Sequence, residues 1–255
     1  MKLEARTPAA SGLFGGSSME QFLREAMFYG REAVELLAGK HVMVFGIGGV
    51  GSYCAEALAR AGVGALTLVD NDTVGITNLN RQLCALHSTI GQYKSDVMAT
   101  RILDINPACR ATSLPRLYTE ADKGRFFALE PDYIIDAIDT VSCKLSLIQT
   151  AKEKNIPIVS AMGTGNKQDP TQFRICDIAE THSCPLARVM RKELRNRGIT
   201  HHTVLFSPEE AITPLSLEAP PPGRRSIPAS LSWVPSCAGL MLAGYVVREL
   251  IGTRQ

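Results

Sequence analysis

The chain has 255 residues, and its 27 lysines and arginines nearly balance 25 aspartates and glutamates, which leaves a formal net charge of +2. That balance excludes a uniformly polybasic protein, so any contact with nucleic acid has to be local. Hydrophobic residues make up 45% of the chain and charged residues 20%. This composition is typical of a globular protein with a sizeable core and excludes a low-complexity chain.

The seven cysteines are odd in number and include no Cys-x-x-Cys pair, which favours neither a disulfide framework nor a four-thiolate zinc site. We therefore expect a cytoplasmic protein. No apolar run reaches the roughly 18 residues that a membrane span needs, and residues 237–247 are predicted to form a packed helix. Residues 1–18 are interpreted as a flexible leader that precedes a single domain over residues 19–255.

The apolar spacing predicts a leading helix over residues 21–37 that stops at Gly39. The next segments alternate between β-branched strands and helices. In chain order they are strand 41–45, helix 53–60, strand 65–69, helix 94–105, strand 110–114, helix 121–129, strand 133–137, helix 143–154 and strand 157–160. This alternation predicts an α/β fold, with a Rossmann-like, doubly wound and mostly parallel sheet over residues 19–161.

After residue 161 the alternation ends. Extended pieces are predicted at 171–176 and 203–206, a basic helix at 186–197 and a last helix at 236–251. Residues 162–255 are therefore interpreted as an extended and helical elaboration that serves substrate binding and dimerisation. The segment EAPPPGRRSI at 218–227 is predicted to be a mobile loop, because it supplies little to bury.

A glycine-rich turn, with Gly46, Gly48, Gly49 and Gly51, follows the first strand and opens a helix. In that position small residues let the backbone approach a polyphosphate, and the start of the helix offers N–H groups to it. Asp70 ends the next strand, where a carboxylate can accept hydrogen bonds from ribose hydroxyls. These residues alone leave a nicotinamide dehydrogenase open.

The polar loop after Asp70 separates an ATP-dependent enzyme from a dehydrogenase. It carries Asp72, Asn78, Arg81 and Gln82, and Lys94 follows near the start of a helix. Asp139 follows a later strand, in the segment DAIDT. Together these residues supply cations for a triphosphate and an acid for its metal ion, which hydride transfer does not require.

The motifs GIGGVGS, DxDxVxxxNLNRQ, GxxK at 91–94, INP and DAIDT resemble the adenylating domain of the ubiquitin-activating-enzyme-like (ThiF/MoeB/HesA) superfamily. The resemblance implies that ATP and Mg²⁺ bind at the glycine turn, that a substrate carboxylate attacks the α-phosphate and that pyrophosphate leaves. It implies a homodimer in which Arg24 reaches the partner's ATP. The implied roles are Asp70 for the ribose, Asn78, Arg81, Gln82 and Lys94 for the phosphates, Asp139 for magnesium, and Asp72 as a further nucleotide-binding residue.

Four later segments, at 169–178, 184–199, 204–210 and 230–252, resemble the tRNA threonylcarbamoyladenosine dehydratase branch of that superfamily. This implies that a threonyl carboxylate on tRNA, next to the anticodon, becomes an acyl adenylate, and that the neighbouring carbamoyl group then closes a ring. A tRNA substrate is implied, and a protein of a sulfurtransferase system is a further predicted partner. The alternatives are an enzyme that adenylates a sulfur-carrier protein, a non-catalytic nucleotide-binding adaptor and the dehydrogenase.

The basic helix supplies a hypothesis for RNA binding. Arg188, Arg191, Lys192 and Arg195 follow i, i+3, i+4, i+7 spacing, which predicts one cationic face for the tRNA phosphates. Cys184 precedes this helix, where a thioester role is weighed against no covalent role. The second reading is favoured, because a tethered nucleophile needs no enzyme thiol. His201 and His202 are predicted to be a surface pair, and Trp233 a core or dimer-interface residue.

Overall fold

A computed structural model of the chain describes residues 19–217 and 227–253. The predicted leader and all but the last residue of the predicted loop at 218–227 lie outside the described residues. The helices described are α1 (Leu23–Tyr29), α2 (Arg31–Ala38), α3 (Gly51–Arg60), α4 (Lys94–Ile105), α5 (Lys123–Phe127), α6 (Val141–Glu153), α7 (Pro185–Asn196) and α8 (Trp233–Ile251). The strands are β1 (His41–Phe45), β2 (Ala65–Val69), β3 (Arg110–Leu114), β4 (Tyr133–Asp136), β5 (Ile158–Ala161), β6 (Arg174–Asp177) and β7 (Thr203–Phe206).

The strands form one sheet in the order β3-β2-β1-β4-β5-β7-β6. Every neighbouring pair is parallel except β6 and β7, which are antiparallel. The predicted α/β fold with a doubly wound, mostly parallel sheet is confirmed. The chain runs outward from β1 on one side and from β4 on the other, so a crevice opens between their carboxyl ends, where such sheets bind ligands.

The predicted single helix at 21–37 is wrong, because the backbone breaks at Gly30. Gly30 has φ +91°, a left-handed conformation that interrupts the helical hydrogen bonds and separates α1 from α2. None of the residues of α1 is buried, whereas α2 buries Val34 and Leu37. The apolar spacing of the two short helices therefore imitates one long amphipathic helix.

The sheet continues beyond residue 161. β7 pairs in parallel with β5, with Ser160 opposite Val204 and Ala161 opposite Leu205, and β6 then pairs with β7. The two extended pieces of the predicted elaboration are thus strands of the same sheet that carries the glycine turn.

Helix α8 packs in the core against α3 and against β4 and β5 of the sheet. Val234, Ala238, Leu242 and Val246 are fully buried. Gly239 lets the helices approach closely, since a Cβ there would lie 2.3 Å from the carbonyl oxygen of Val50. In the part of the chain that the structure describes, α8 is long and apolar enough to cross a membrane, with a mean hydropathy of 1.3. Core helices of globular proteins meet the same criterion, and α8 packs as one.

Candidate nucleotide site

A cavity of about 460 Å³ lies where the carboxyl ends of β1, β2 and β4 meet. Its walls bring together residues that are far apart in the chain and that the sequence singles out for one site. These are Gly46, Gly48, Gly49, Asp70, Asp72, Arg81, Gln82, Lys94 and Asp139. The cavity therefore has the cations, the carboxylates and the exposed backbone that a triphosphate and its metal ion require.

The glycine turn is packed too tightly for side chains at its two ends. A Cβ on Gly46, whose φ is +87°, would lie 2.6 Å from the carbonyl oxygen of Ala137, and one on Gly51 would lie 1.8 Å from the carbonyl oxygen of Gly46. No side chain caps the start of α3. The N–H of Ser52 donates to the carbonyl oxygen of Gly48. A ligand in the cavity would therefore meet the backbone of Gly48, Gly49 and Val50, just ahead of the helix. Gly51 itself is buried beneath the turn and shapes it, and is not among the residues that line the cavity.

Asp70 fastens the end of β2 to the glycine turn. Its Oδ2 accepts a hydrogen bond of 2.6 Å from the N–H of Ile47, and its Oδ1 accepts one of 2.8 Å from the N–H of Asp72. Burial raises the pKa of the Asp70 carboxyl, an effect opposed by these hydrogen bonds and by the charge of Lys94. Each carboxylate oxygen has a second lone pair, so ribose hydroxyls can still donate to Asp70.

Lys94 is the first residue of α4 and only 5% exposed, although it carries a charge. Its Nζ lies 2.8 Å from Oδ2 of Asp72, and its backbone N–H donates to the carbonyl oxygen of Asp72. The ammonium group is thereby fixed at the cavity wall and keeps further N–H donors for a phosphate oxygen.

Arg81 is half-buried in the loop after β2. Its Nη1 donates to the carbonyl oxygen of Thr77 and to Oδ1 of Asn80, both at 2.9 Å, and desolvation lowers the pKa of its guanidinium. Asn78 is not among the residues that line the cavity. Its Oδ1 accepts from the N–H of Gly75, and its carbonyl oxygen accepts from the N–H groups of Arg81 and Gln82. Asn78 therefore shapes the loop that presents Arg81.

Asp139 lies between β4 and α6 and is exposed to the cavity, with Oγ1 of Thr140 donating to its Oδ1 at 3.2 Å. Within the described ranges no group of three or more His, Cys, Asp or Glu side chains could hold a metal ion. One carboxylate beside a triphosphate nevertheless fits Mg²⁺, which takes one or two carboxylates together with phosphate oxygens and water.

Several cavity residues escape the sequence analysis. Arg116, Leu117 and Tyr118 follow β3 at the same sheet edge, so their position after a strand is a signal that could have found them. Thr164 follows β5 in the same way. Ser230 has no such signal, because long-range hydrogen bonds bring it to the cavity.

Two of those hydrogen bonds define the rim of the cavity, formed by residues 163–168 and 228–230. The Nδ2 of Asn80 donates to the carbonyl oxygen of Ser230 at 3.0 Å, and the N–H of Ala229 donates to Oδ1 of Asn166 at 2.7 Å. The start of α7 adjoins this rim, since a Cβ on Gly163 would lie 3.8 Å from Sγ of Cys184. Cys184 itself is buried in the core.

The structure separates the remaining predicted residues by their surroundings. Arg188, Lys192 and Arg195 are exposed on α7. Arg191 is half-buried, and its Nη1 donates to the carbonyl and hydroxyl oxygens of Thr181 at 2.6 Å. Its guanidinium thus fixes the turn before α7, which removes it from the free cationic face. Arg24 is exposed on α1, outside the cavity lining.

Two predictions outside the cavity are corrected. His201 is exposed, but His202 is buried and its Nε2 lies 2.8 Å from Oγ of Ser160, so the surface pair is wrong for His202. Trp233 is 51% exposed and its Nε1 donates to the carbonyl oxygen of Gln168, so a core position is wrong. The residue that begins α8 instead fixes the loop that carries Thr164.

Comparisons with known proteins agree with this geometry. The chain is 46% identical over 242 residues to a tRNA threonylcarbamoyladenosine dehydratase of Bacillus subtilis (strain 168), covering 91% of this chain and 95% of that protein. The E. coli tRNA N6-threonylcarbamoyladenosine dehydratase TcdA in complex with ATP superposes with a TM-score of 0.85 at 35% identity, covering 93% of this chain and 96% of that one. The same enzyme in complex with AMP gives a TM-score of 0.85 at 34% identity, covering 93% and 97%. The ThiF family model matches residues 22–255, and the chain belongs to that family.

Proposed function

We propose that this chain catalyses the ATP-dependent dehydration of N6-threonylcarbamoyladenosine in tRNA, next to the anticodon, with Mg²⁺ as cofactor. One observation carries the proposal: Arg81, Lys94 and Asp139 line the same cavity as the glycine turn. A cavity of that kind activates a carboxylate, which is a poor electrophile, by converting it into a mixed anhydride with AMP.

Each wall residue has a part in that activation. Lys94 and Arg81 neutralise charge that develops on the phosphates as a carboxylate oxygen attacks the α-phosphorus and pyrophosphate leaves. Asp139 would hold the magnesium ion that accompanies ATP, and that ion would supply positive charge to offset the charge of the leaving pyrophosphate. Asp70 orients the ribose, and so fixes the α-phosphate relative to the rim.

The second half of the reaction needs no enzyme nucleophile. The carbamoyl group of the same nucleoside attacks the acyl carbon and closes a ring, and one former carboxylate oxygen leaves in AMP. Because the attacking group is tethered to the electrophile, its effective concentration is high. The buried position of Cys184 is consistent with a reaction that uses no enzyme thiol.

The tRNA approaches from the rim in this proposal, because α7 begins beside Gly163 and presents Arg188, Lys192 and Arg195 to solvent. These three cations would contact the phosphate backbone, which carries most of the sequence-independent affinity.

A homodimer is part of the proposal. Helix α1 leaves Met27 76% exposed and Phe28 80% exposed, a surface that a second copy of the chain would cover. The same helix carries Arg24, which is placed to reach the partner's triphosphate. Mixing inactive R24A and K94A proteins should then restore part of the activity, since a mixed dimer holds one site with both side chains intact.

The cytoplasm is the location that we propose, in keeping with the free thiol state of all seven cysteines in the described ranges. A sulfurtransferase-system partner stays a prediction.

The test is incubation of the protein with ATP, magnesium and threonylcarbamoylated tRNA, followed by nucleoside mass spectrometry. We expect loss of one water from the modified nucleoside. The R81A and K94A proteins should each lower the rate by about 100-fold or more, because each removes a charge that stabilises the transition state. R110Q, at the opposite edge of the sheet, is the control and should keep the rate.

Two outcomes would overturn the proposal. One is pyrophosphate exchange driven by a carrier protein that ends in Gly-Gly and not by the modified tRNA, which would identify an enzyme that adenylates a sulfur carrier. The other is binding of NAD without binding of ATP, which would identify a dehydrogenase.

A further inference from the structure

A buried ion pair lies directly beneath the loop that carries Asp139. Asp136 ends β4 and Lys144 lies on α6, and their side chains are both fully buried, with Nζ 2.9 Å from Oδ2. Neither residue lines the cavity. The pair therefore cannot contact the nucleotide.

The same two side chains fix the backbone of the loop. The Nζ of Lys144 donates to the carbonyl oxygen of Ile138 at 3.0 Å, and Oδ1 of Asp136 accepts from the N–H of Ile138 at 3.1 Å. Both polar groups of the residue that precedes Asp139 are thus held by one ion pair. The residue before Ile138 is also held, because the N–H of Ala137 donates to the carbonyl oxygen of Phe45 at the end of β1.

Stability alone does not account for this arrangement. Replacing a buried ion pair with apolar residues of similar volume is often neutral or stabilising. An apolar pair, however, could not hold the carbonyl group of Ile138. The contribution that requires a lysine is therefore the position of the backbone next to Asp139.

The polar groups near Lys144 on β5 and just before β7 pair with each other and do not compete for its ammonium group. Ser160 lies opposite Asp136 on β5, and its Oγ pairs with Nε2 of His202. Burial and the charges of Lys152 and Lys144 lower the pKa of His202 to about 3, so the imidazole is neutral near pH 7. Of the groups described here, Asp136 is the one anion in an ion pair with Lys144.

We propose that Lys144 is a positioning residue for metal binding, which holds the Asp139 carboxylate at the place where it meets the magnesium ion of ATP. The inference deepens the proposed function and rests on the part that it gives to Asp139. Groups that orient a metal ligand from behind commonly change metal affinity by about 10- to 100-fold when removed.

The test compares the K144M/D136N double variant with the unsubstituted protein. The double substitution leaves no stranded charge and keeps an oxygen at residue 136 for the N–H of Ile138, so the fold should persist, as checked by the melting temperature. The readouts are the affinity for Mn²⁺ in the presence of a non-hydrolysable ATP analogue, measured by electron paramagnetic resonance, and the affinity for the analogue without metal.

We expect the double variant to bind Mn²⁺ about tenfold more weakly and the metal-free analogue as before. Its kcat should fall while its KM for tRNA is unchanged. K152M is the control, because Lys152 is an exposed cation on the same helix as Lys144, and its loss should leave Mn²⁺ affinity unchanged.

Unchanged Mn²⁺ affinity in the folded double variant would overturn the inference and reduce Lys144 to a counter-charge for Asp136. The D139A protein distinguishes this failure from failure of the proposed function. If D139A also binds Mn²⁺ normally, Asp139 is not the metal ligand and the proposed role itself is wrong. If D139A alone loses affinity, only the positioning role of Lys144 fails.

Discussion

The two sides of the cavity are built in different ways. The glycine side, made by the turn at 46–51 and the loop ends at Asp70 and Asp139, consists of short segments that follow strands directly. The rim, in contrast, depends on hydrogen bonds between residues separated by 150 positions, as in Asn80 and Ser230, or by 63, as in Asn166 and Ala229. Chemistry that any adenylating site needs thus lies in local motifs, whereas the side that meets the substrate depends on tertiary structure.

The strongest test of the glycine side is G51A. The added Cβ would lie 1.8 Å from the carbonyl oxygen of Gly46, and a backbone group cannot move aside as a flexible side chain can. We expect a loss of about 3 kcal/mol in the free energy of unfolding, at the upper end for overpacking, measured by urea denaturation.

G124A is the matched control, because a Cβ on Gly124 of α5 meets nothing within 4 Å. It should be neutral or stabilise the fold by about 0.4–1 kcal/mol through the unfolded state. Equal destabilisation by the two substitutions would contradict the view that the turn is limited by backbone contact.

On the side of the sheet that carries the rim, the prediction concerns buried His202 and the way the free energy of unfolding depends on pH. His202 has a folded-state pKa of about 3, below its unfolded value of 6.5. Between these values the unfolded chain binds a proton that the folded protein does not. The contribution of His202 to the free energy of unfolding is therefore fully present above pH 6.5. It is lost as the pH falls from 6.5 towards 3, by about 1.4 kcal/mol per pH unit.

The H202Q protein should lose this part of the acid sensitivity, as measured by urea denaturation between pH 7 and pH 5. H201Q changes the exposed neighbour and should keep the slope of the unsubstituted protein. A slope that H202Q does not alter would place the buried imidazole outside the acid response.

The smallest expected effect concerns the exposed cations of α7. R188Q/R195Q should weaken tRNA binding a few-fold and reduce the slope of log affinity against log salt by about 1–2. Each cation that is removed leaves one phosphate with its counterions, so binding releases fewer counterions from the tRNA. The measurement is a filter-binding titration at several salt concentrations.

The control is R110Q/K154Q, which removes two cations at the edge of the sheet where its strands begin. It should leave the salt slope unaltered. An equal loss in both double variants would mean that the tRNA is attracted by net charge and not by α7.

Much of the fold was predictable because apolar residues repeat with different spacing in strands and in helices, and because the strands of a doubly wound sheet are buried and so form short apolar runs. The glycine turn, Asp70 and Lys94 came from the sequence, since their chemistry depends on positions next to strand ends. Gly30 was missed because two helices in succession keep the same apolar spacing.

The wrong predictions about individual side chains are errors of burial. The sequence placed His202 and Arg191 at the surface, yet the structure pairs buried His202 with Ser160 and half-buried Arg191 with Thr181, and both partners are buried. No local pattern records a partner more than a few residues away. Ser230 was missed for the same reason.

The pairing of β7 with β5 limits how this enzyme could have been assembled or can be shortened. A fragment that ended at residue 161 would leave β5 as a bare edge with unpaired N–H and carbonyl groups, and would remove α8, the helix that packs against α3. The nucleotide-binding half is therefore not a portable module.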